Sequence, residues 1–213
     1  MPPGISIKPS PLITQSLAPG RSQQEPALPL PFPHVKKREN GTAARFGISG
    51  PYTVLCPGAE YGPAKRWPAR YFAELAQKLA AAGFDIWLVG SAKDAAIGGE
   101  IARLIGNPCV NLCGKSTLAE AIDLMSCAAL VVSNDSGLMH IAAALDKPLT
   151  AIYGSSSPAF TPPLSTRAQV VKLDLPCSPC FRRECPLGHF NCMLQLTPER
   201  VWNRIEFGKI PRS

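Results

Sequence analysis

Asp135, Ser136, Gly137 and His140 crowd into one ten-residue run, VVSNDSGLMH at 131–140, in which an apolar strand passes through a polar turn straight into a helix. In a parallel α/β sheet that order of elements builds an anion site. The strand delivers the turn to the carboxyl edge of the sheet, and the glycine lets a ligand reach the backbone. The free N–H groups and positive dipole end of the helix then face a phosphate. Asp135 or Ser136 can also cap the helix, and a capped helix behind a buried strand uses the same residues with no ligand at all.

Other side chains point to the same chemistry by where they must lie. Ligands of such sheets bind outside the carboxyl ends of the strands, so the loops 57–68, 90–94, 113–117, 133–138 and 154–160 should converge on one crevice. Lys65, in PAKRWP, offers a mobile cation able to neutralise a diphosphate, with Arg66 beside it as a second candidate. Gly58 and Ala59 carry too little side chain to block a ligand and suit backbone contact. Asp94 follows a strand end in GSAKD, where its carboxylate can accept hydrogen bonds from sugar or ribose hydroxyls, or simply cap a helix. Tyr153, Gly154 and Ser155 end another strand at the same edge. His140 can touch a phosphate, brace the turn or merely pack. A Ser136–His140 nucleophile pair finds no GxSxG elbow. Neither GxGxxG nor a Walker A run occurs.

A second constellation is late in the chain. Half of the eight cysteines, Cys177, Cys180, Cys185 and Cys192, fall in CSPCFRRECPLGHFNCM, with His189 among them. Clustered thiols of this kind suggest ligands for zinc or an iron–sulfur centre, yet the paired CxxC…CxxC knuckle is incomplete. Reduced thiols in a loop, or a disulfide, remain the alternatives, so no cofactor is assigned. Arg182 and Arg183 in the same loop can face an anionic substrate.

The elements that must position these residues alternate. Strands are expected at Tyr52–Cys56, Phe84–Val89, Cys109–Leu112, Ala129–Ser133 and Leu149–Tyr153, with an edge strand at Ala168–Leu173. Helices are expected at 69–82, Ala92–Ile105, Thr117–Ser126 (capped by Ser116 or Thr117) and Gly137–Leu145, and TPER opens a closing helix over Thr197–Phe207. This alternation predicts right-handed βαβ units in a doubly wound parallel sheet, an α/β fold. Nine of the 23 prolines lie in the first 35 residues. Residues 1–50 therefore read as a proline-rich, largely disordered leader, with one short helix over 36–47, and residues 51–213 as the domain.

Composition bounds the function. With 46% hydrophobic residues in 213, the chain can bury a core, and no apolar run is long enough to span a bilayer. The amino terminus lacks the continuous apolar core of a secretory signal, so a cytoplasmic protein is expected. The net charge is +7, and the first 50 residues hold six Lys/Arg against two Glu. The remainder is too weakly basic, without interleaved aromatics, for nucleic acid; an anionic ligand or membrane surface suits it better.

Taken in order, CPGAEYGPAKRWP, SNDSGLMHIAAAL, AIYGSSSP and the CxPCFRRECPLGHFNCM tail resemble the ADP-heptose:lipopolysaccharide heptosyltransferases, most closely the heptosyltransferase II group, over roughly residues 50–207. The resemblance implies one Rossmann-like half of a glycosyltransferase-B fold, the carboxyl-terminal half that binds ADP-L-glycero-D-manno-heptose. It implies inverting transfer to the lipopolysaccharide inner core without an essential metal. Lys65 matches the family's phosphate-binding lysine, Asp94 an acidic donor contact, and Asp135, Ser136, Gly137 and His140 the turn that holds diphosphate and heptose. The amino-terminal acceptor half, with the aspartate expected as general base, has no counterpart here. A missing acceptor domain or partner chain, and peripheral contact with the inner face of the inner membrane, follow as expectations. A nucleotide-sugar-binding module without turnover and a metal-binding interaction protein are the competing readings.

Overall fold

The computed structural model describes residues 42, 45–47, 50–106 and 109–210. Strands β1 (Tyr52–Cys56), β4 (Leu130–Asn134) and β5 (Leu149–Ile152) are buried along their whole length. Runs such as LVVSN and LTAI have no polar face to offer water, so they belong in the middle of a sheet covered on both sides. With β2 (Asp85–Leu88), β3 (Cys109–Asn111) and β6 (Ala168–Val171) they form six parallel strands in the order β3-β2-β1-β4-β5-β6. The order reverses between β1 and β4, and a crevice opens at that point beyond the carboxyl ends of the strands.

Helices cover both faces. Leu55 of β1 packs with Phe72, Leu75 and Leu79 of α1 (Ala69–Ala81) and Ile101 of α2 (Ala95–Ile105). Its neighbours Val54 and Cys56 point the other way, toward Leu124 and Met125 of α3 (Leu118–Cys127) and Met139 of α4 (Gly137–Ala144). Local signals set the ends. Gly83, at φ 92°, adopts the left-handed conformation that stops α1. Thr117 caps α3 and exchanges a capping box with Glu120.

Most boundaries agree with the sequence pattern to within one or two residues, and three features differ. The helix expected from Ala92 begins as a 3-10 turn, Ala92–Asp94, before α2. The closing helix is broken. Only α6, Pro198–Trp202, is α-helical, preceded by a four-residue helix α5 at Asn191–Leu194 and followed by a 3-10 turn at Phe207–Lys209. Trp202 stacks on Phe207 at 4.8 Å, whereas a continuous helix would set these two side chains roughly 140° apart. Folding back also buries Ile205 and Ile210. Finally, Phe46 packs edge-on against Trp87 at 6.0 Å, so contacts reach ahead of Pro51. Thr42 and Arg45 are helical and Gly47 has φ 70°; the rest of the expected 36–47 helix and of the leader lies outside the described residues.

Candidate functional site

The turn after β4 stands at the switch point, and its helix start is open. Ser136 occupies the N-cap position of α4, but neither it nor Asp135 caps the helix. The Ser136 hydroxyl sits 3.3 Å from that of Ser133 instead. The first-turn N–H groups of an eight-residue helix are thus left without a side-chain acceptor, and the positive end of its dipole faces the crevice. A Cβ built on Gly137 would meet nothing within 4 Å, so the fold itself does not demand a glycine there.

Asp135 is used differently from a cap. Its Oδ2 accepts from Lys65 Nζ at 2.6 Å, from Thr161 Oγ1 at 3.3 Å and from Ser156 Oγ. The carboxylate is buried and the lysine side chain is 14% exposed. An ammonium has three N–H donors, so the pair fixes Lys65 while leaving donors for an anion. Two further contacts hold this arrangement. Asn134 Nδ2 donates to Pro57 O at 2.8 Å and its Oδ1 accepts Trp67 N–H at 3.1 Å, tying the loop that carries Lys65 to the end of β4. Tyr153 donates its hydroxyl to Thr161 O; burial, then the Asp135 charge, push its pKa well above the usual phenol value.

A second cation stands close by. Lys65 Nζ lies 5.1 Å from the Tyr61 ring centroid and Arg183 Cζ 5.5 Å from it. Arg183 O also accepts the Ala64 N–H at 3.0 Å, so the late cysteine-rich loop leans on the lysine loop. Arg182 is exposed.

On the other side of the turn a cavity of about 450 Å³ opens, bounded by Gly58, Asp94, Leu118, Ser136, Gly137 and Ile141 among others. Asp94 is buried in its wall. Its Oδ2 accepts Ser91 N–H at 2.9 Å and Ser91 Oγ–H at 2.7 Å, closing a capping box at the start of the 3-10 turn. A Cβ on Gly58 would fall 2.4–2.5 Å from the Asp94 carboxylate, so Gly58 is needed for that packing as well as for an open wall. Ala59 is buried and does not line the cavity. His140 is exposed on the first turn of α4 and likewise lies off the cavity wall. The Arg66 Nε is buried without a hydrogen-bond partner.

An open helix start, an ammonium fixed beside it and an adjoining cavity make an arrangement able to hold an anion. The sequence matches glycosyltransferase family 9 (heptosyltransferase) over residues 19–191, and 41% of it is identical to lipopolysaccharide heptosyltransferase 2 of Escherichia coli (strain K12) over 190 residues, 85% of this chain. The chain belongs to the heptosyltransferase family. It spans about half the length of its curated relatives, 55% of that E. coli enzyme. The solved structure of E. coli ADP-heptose lps heptosyltransferase II superposes with a TM-score of 0.68 at 43% identity, covering 76% of this chain and 48% of that one. E. coli heptosyltransferase WaaC with ADP superposes at 0.60 and 28% identity, covering 74% and 44%. The fold is therefore the α/β half of a glycosyltransferase-B heptosyltransferase, as the motifs indicate.

Ser156, Thr161, Asn134 and Tyr61 escape sequence reasoning, although AIYGSSSP placed the serines at the right edge. The four late cysteines are free thiols in the structure. Backbone N–H groups, that of Phe190 foremost, hold the Cys185 thiol below its usual range, while burial, then the charges of Cys180, Cys185 and Cys177, raise that of Cys192. Among the described residues no three His, Cys, Asp or Glu side chains are gathered closely enough, as they stand, to hold a metal ion.

Proposed function

We propose that this chain is the donor-binding half of a heptosyltransferase that moves heptose from ADP-L-glycero-D-manno-heptose to the inner core of lipopolysaccharide. The observation that carries the reading is the uncapped start of α4 at the switch point, with Lys65 locked beside it by Asp135. The adenosine occupies the cavity between Leu118 and Ile141, whose wall is largely apolar, and Asp94 meets the ribose hydroxyls with its remaining oxygen. The diphosphate lies on the first turn of α4. When an acceptor hydroxyl attacks the anomeric carbon from the opposite face, the carbon–oxygen bond to ADP breaks and charge grows on the β-phosphate. Lys65 and the helix N–H groups are aimed there in advance, which is where pre-set electrostatics lower a barrier most.

In such an enzyme the acceptor and the general base belong to the other half. We place the protein in the cytoplasm at the inner face of the inner membrane, in peripheral contact; among the described residues no helix is long and apolar enough to cross a membrane.

Thermal unfolding in a panel of nucleoside diphosphates tests the donor assignment. At a hundred times its dissociation constant a ligand adds about 2.7 kcal/mol of stability. ADP should do this, and UDP or CDP at the same concentration should not. An equal response to UDP would reassign the donor.

A further inference from the structure

Cys177, Cys180, Cys185 and Cys192 all line one small cavity of about 20 Å³, together with His189 and Ser155. Nothing in the secondary structure forces this convergence. Residues 172–190 contain no helix or strand, and only Cys192 sits on a helix, α5. An irregular segment of that length in a compact domain needs some other tether. Phe181 and Phe190 adopt left-handed φ of 54° and 50°, a strain that persists only where the surroundings over-determine it. Cys185 Sγ already accepts the Phe190 N–H at 3.3 Å, as outer-shell amides do for a metal-bound thiolate. Ser155, 1% exposed, lines the cavity with a hydroxyl that has no partner.

We propose that these four thiols bind a single soft divalent ion, zinc by preference, in a tetrahedral structural site. The cavity is about the size that takes one water or ion. The sulfurs do not yet meet at one point, so binding draws them in by side-chain rotation. The ion displaces the four thiol protons to solvent and leaves a doubly negative centre, with Arg182 and Arg183 in the same loop to offset it. His189 is a wall rather than a ligand, because its Nδ1 accepts the Asn191 N–H at 3.0 Å. With all four positions filled by protein the ion has no open site for catalysis. Its work is mechanical. Phe181 N–H donates to Ser155 O at 2.7 Å, Tyr61 OH to Phe181 O at 2.8 Å, and Ala64 N–H to Arg183 O, so the loop braces the one that carries Lys65.

Elemental analysis and cobalt substitution of the whole chain test this. One zinc per chain is expected after purification without chelator. Cobalt should replace it with the intense visible bands and near-ultraviolet charge transfer of a tetrahedral thiolate complex, saturating at one equivalent. Iron at the same stoichiometry would support the site with a different ion. Cys180→Ser and Cys185→Ser should weaken cobalt binding by about tenfold or more, and Cys127→Ser should leave it unchanged. Wild-type protein that carries no metal, gives no thiolate spectrum with cobalt and shows all four thiols freely titratable would overturn the proposal, as would acid-labile sulfide. The wild-type result stands even if a serine variant misfolds, and it is read independently of ADP binding.

Discussion

Lys65 and Asp135 lie 70 residues apart in sequence, yet Nζ of the one is 2.6 Å from Oδ2 of the other across the switch point of the sheet. One comes from the loop after β1 and the other from the end of β4, the two strands between which the order reverses. Burying such a pair is costly in desolvation and adds little net stability by itself. Its geometry makes sense as preparation: the carboxylate, braced by Ser156 and Thr161, holds a cation at the mouth of a helix before any anion arrives.

Lys65→Ala should destabilise the fold by about 1–3 kcal/mol, because a buried carboxylate is left with hydroxyl donors alone. Adding Asp135→Asn should recover part of that loss. Urea midpoints of the parent, both single variants and the double variant measure both effects; additive losses would show that the residues are not coupled.

Gly137→Ala separates ligand from fold. The added methyl meets nothing in the protein and the backbone needs no positive φ, so stability should hold or rise by up to about 1 kcal/mol. ADP affinity should fall on the order of tenfold, about 1.4 kcal/mol, since the methyl points into the diphosphate's space. Unchanged affinity would move the diphosphate away from this turn.

Stability should decline on the alkaline side. Burial raises the Cys113 thiol from 9.0 to about 12 and the Cys109 thiol from 9.0 to about 11. Tyr52, Cys56 and Tyr153 move in the same direction, burial again the main cause. The native state keeps protons that the unfolded chain releases, so the contribution is complete below pH 9 and is lost as the pH climbs from 9 toward 12. Urea midpoints at pH about 8 and about 10.5 should differ, and Cys113→Ala should flatten the slope.

The sheet and the turn after β4 were legible because they are local: buried strands write themselves as apolar runs, and the DSG turn follows one directly. Lys65, Asp94 and Asp135 could be placed at one edge because a parallel sheet puts every strand's carboxyl end there. Local pattern does not say which groups touch. Ser156 and Thr161 reach Asp135 only through the path of the loop after β5, and Asp94's cap on Ser91 depends on the close approach of Gly58. The broken closing helix was misread because TPER marks a start and nothing in the sequence marks a stop; the Trp202–Phe207 contact ends it.

Calorimetric titration of the chain with ADP, with neither divalent cation nor chelator added, beside Lys65→Ala, tests the central claim most directly. The account predicts one saturable site per chain, weakened at least tenfold, about 1.4 kcal/mol, without the lysine. A folded wild-type chain that takes up no ADP, or binds it equally well without Lys65, would contradict it.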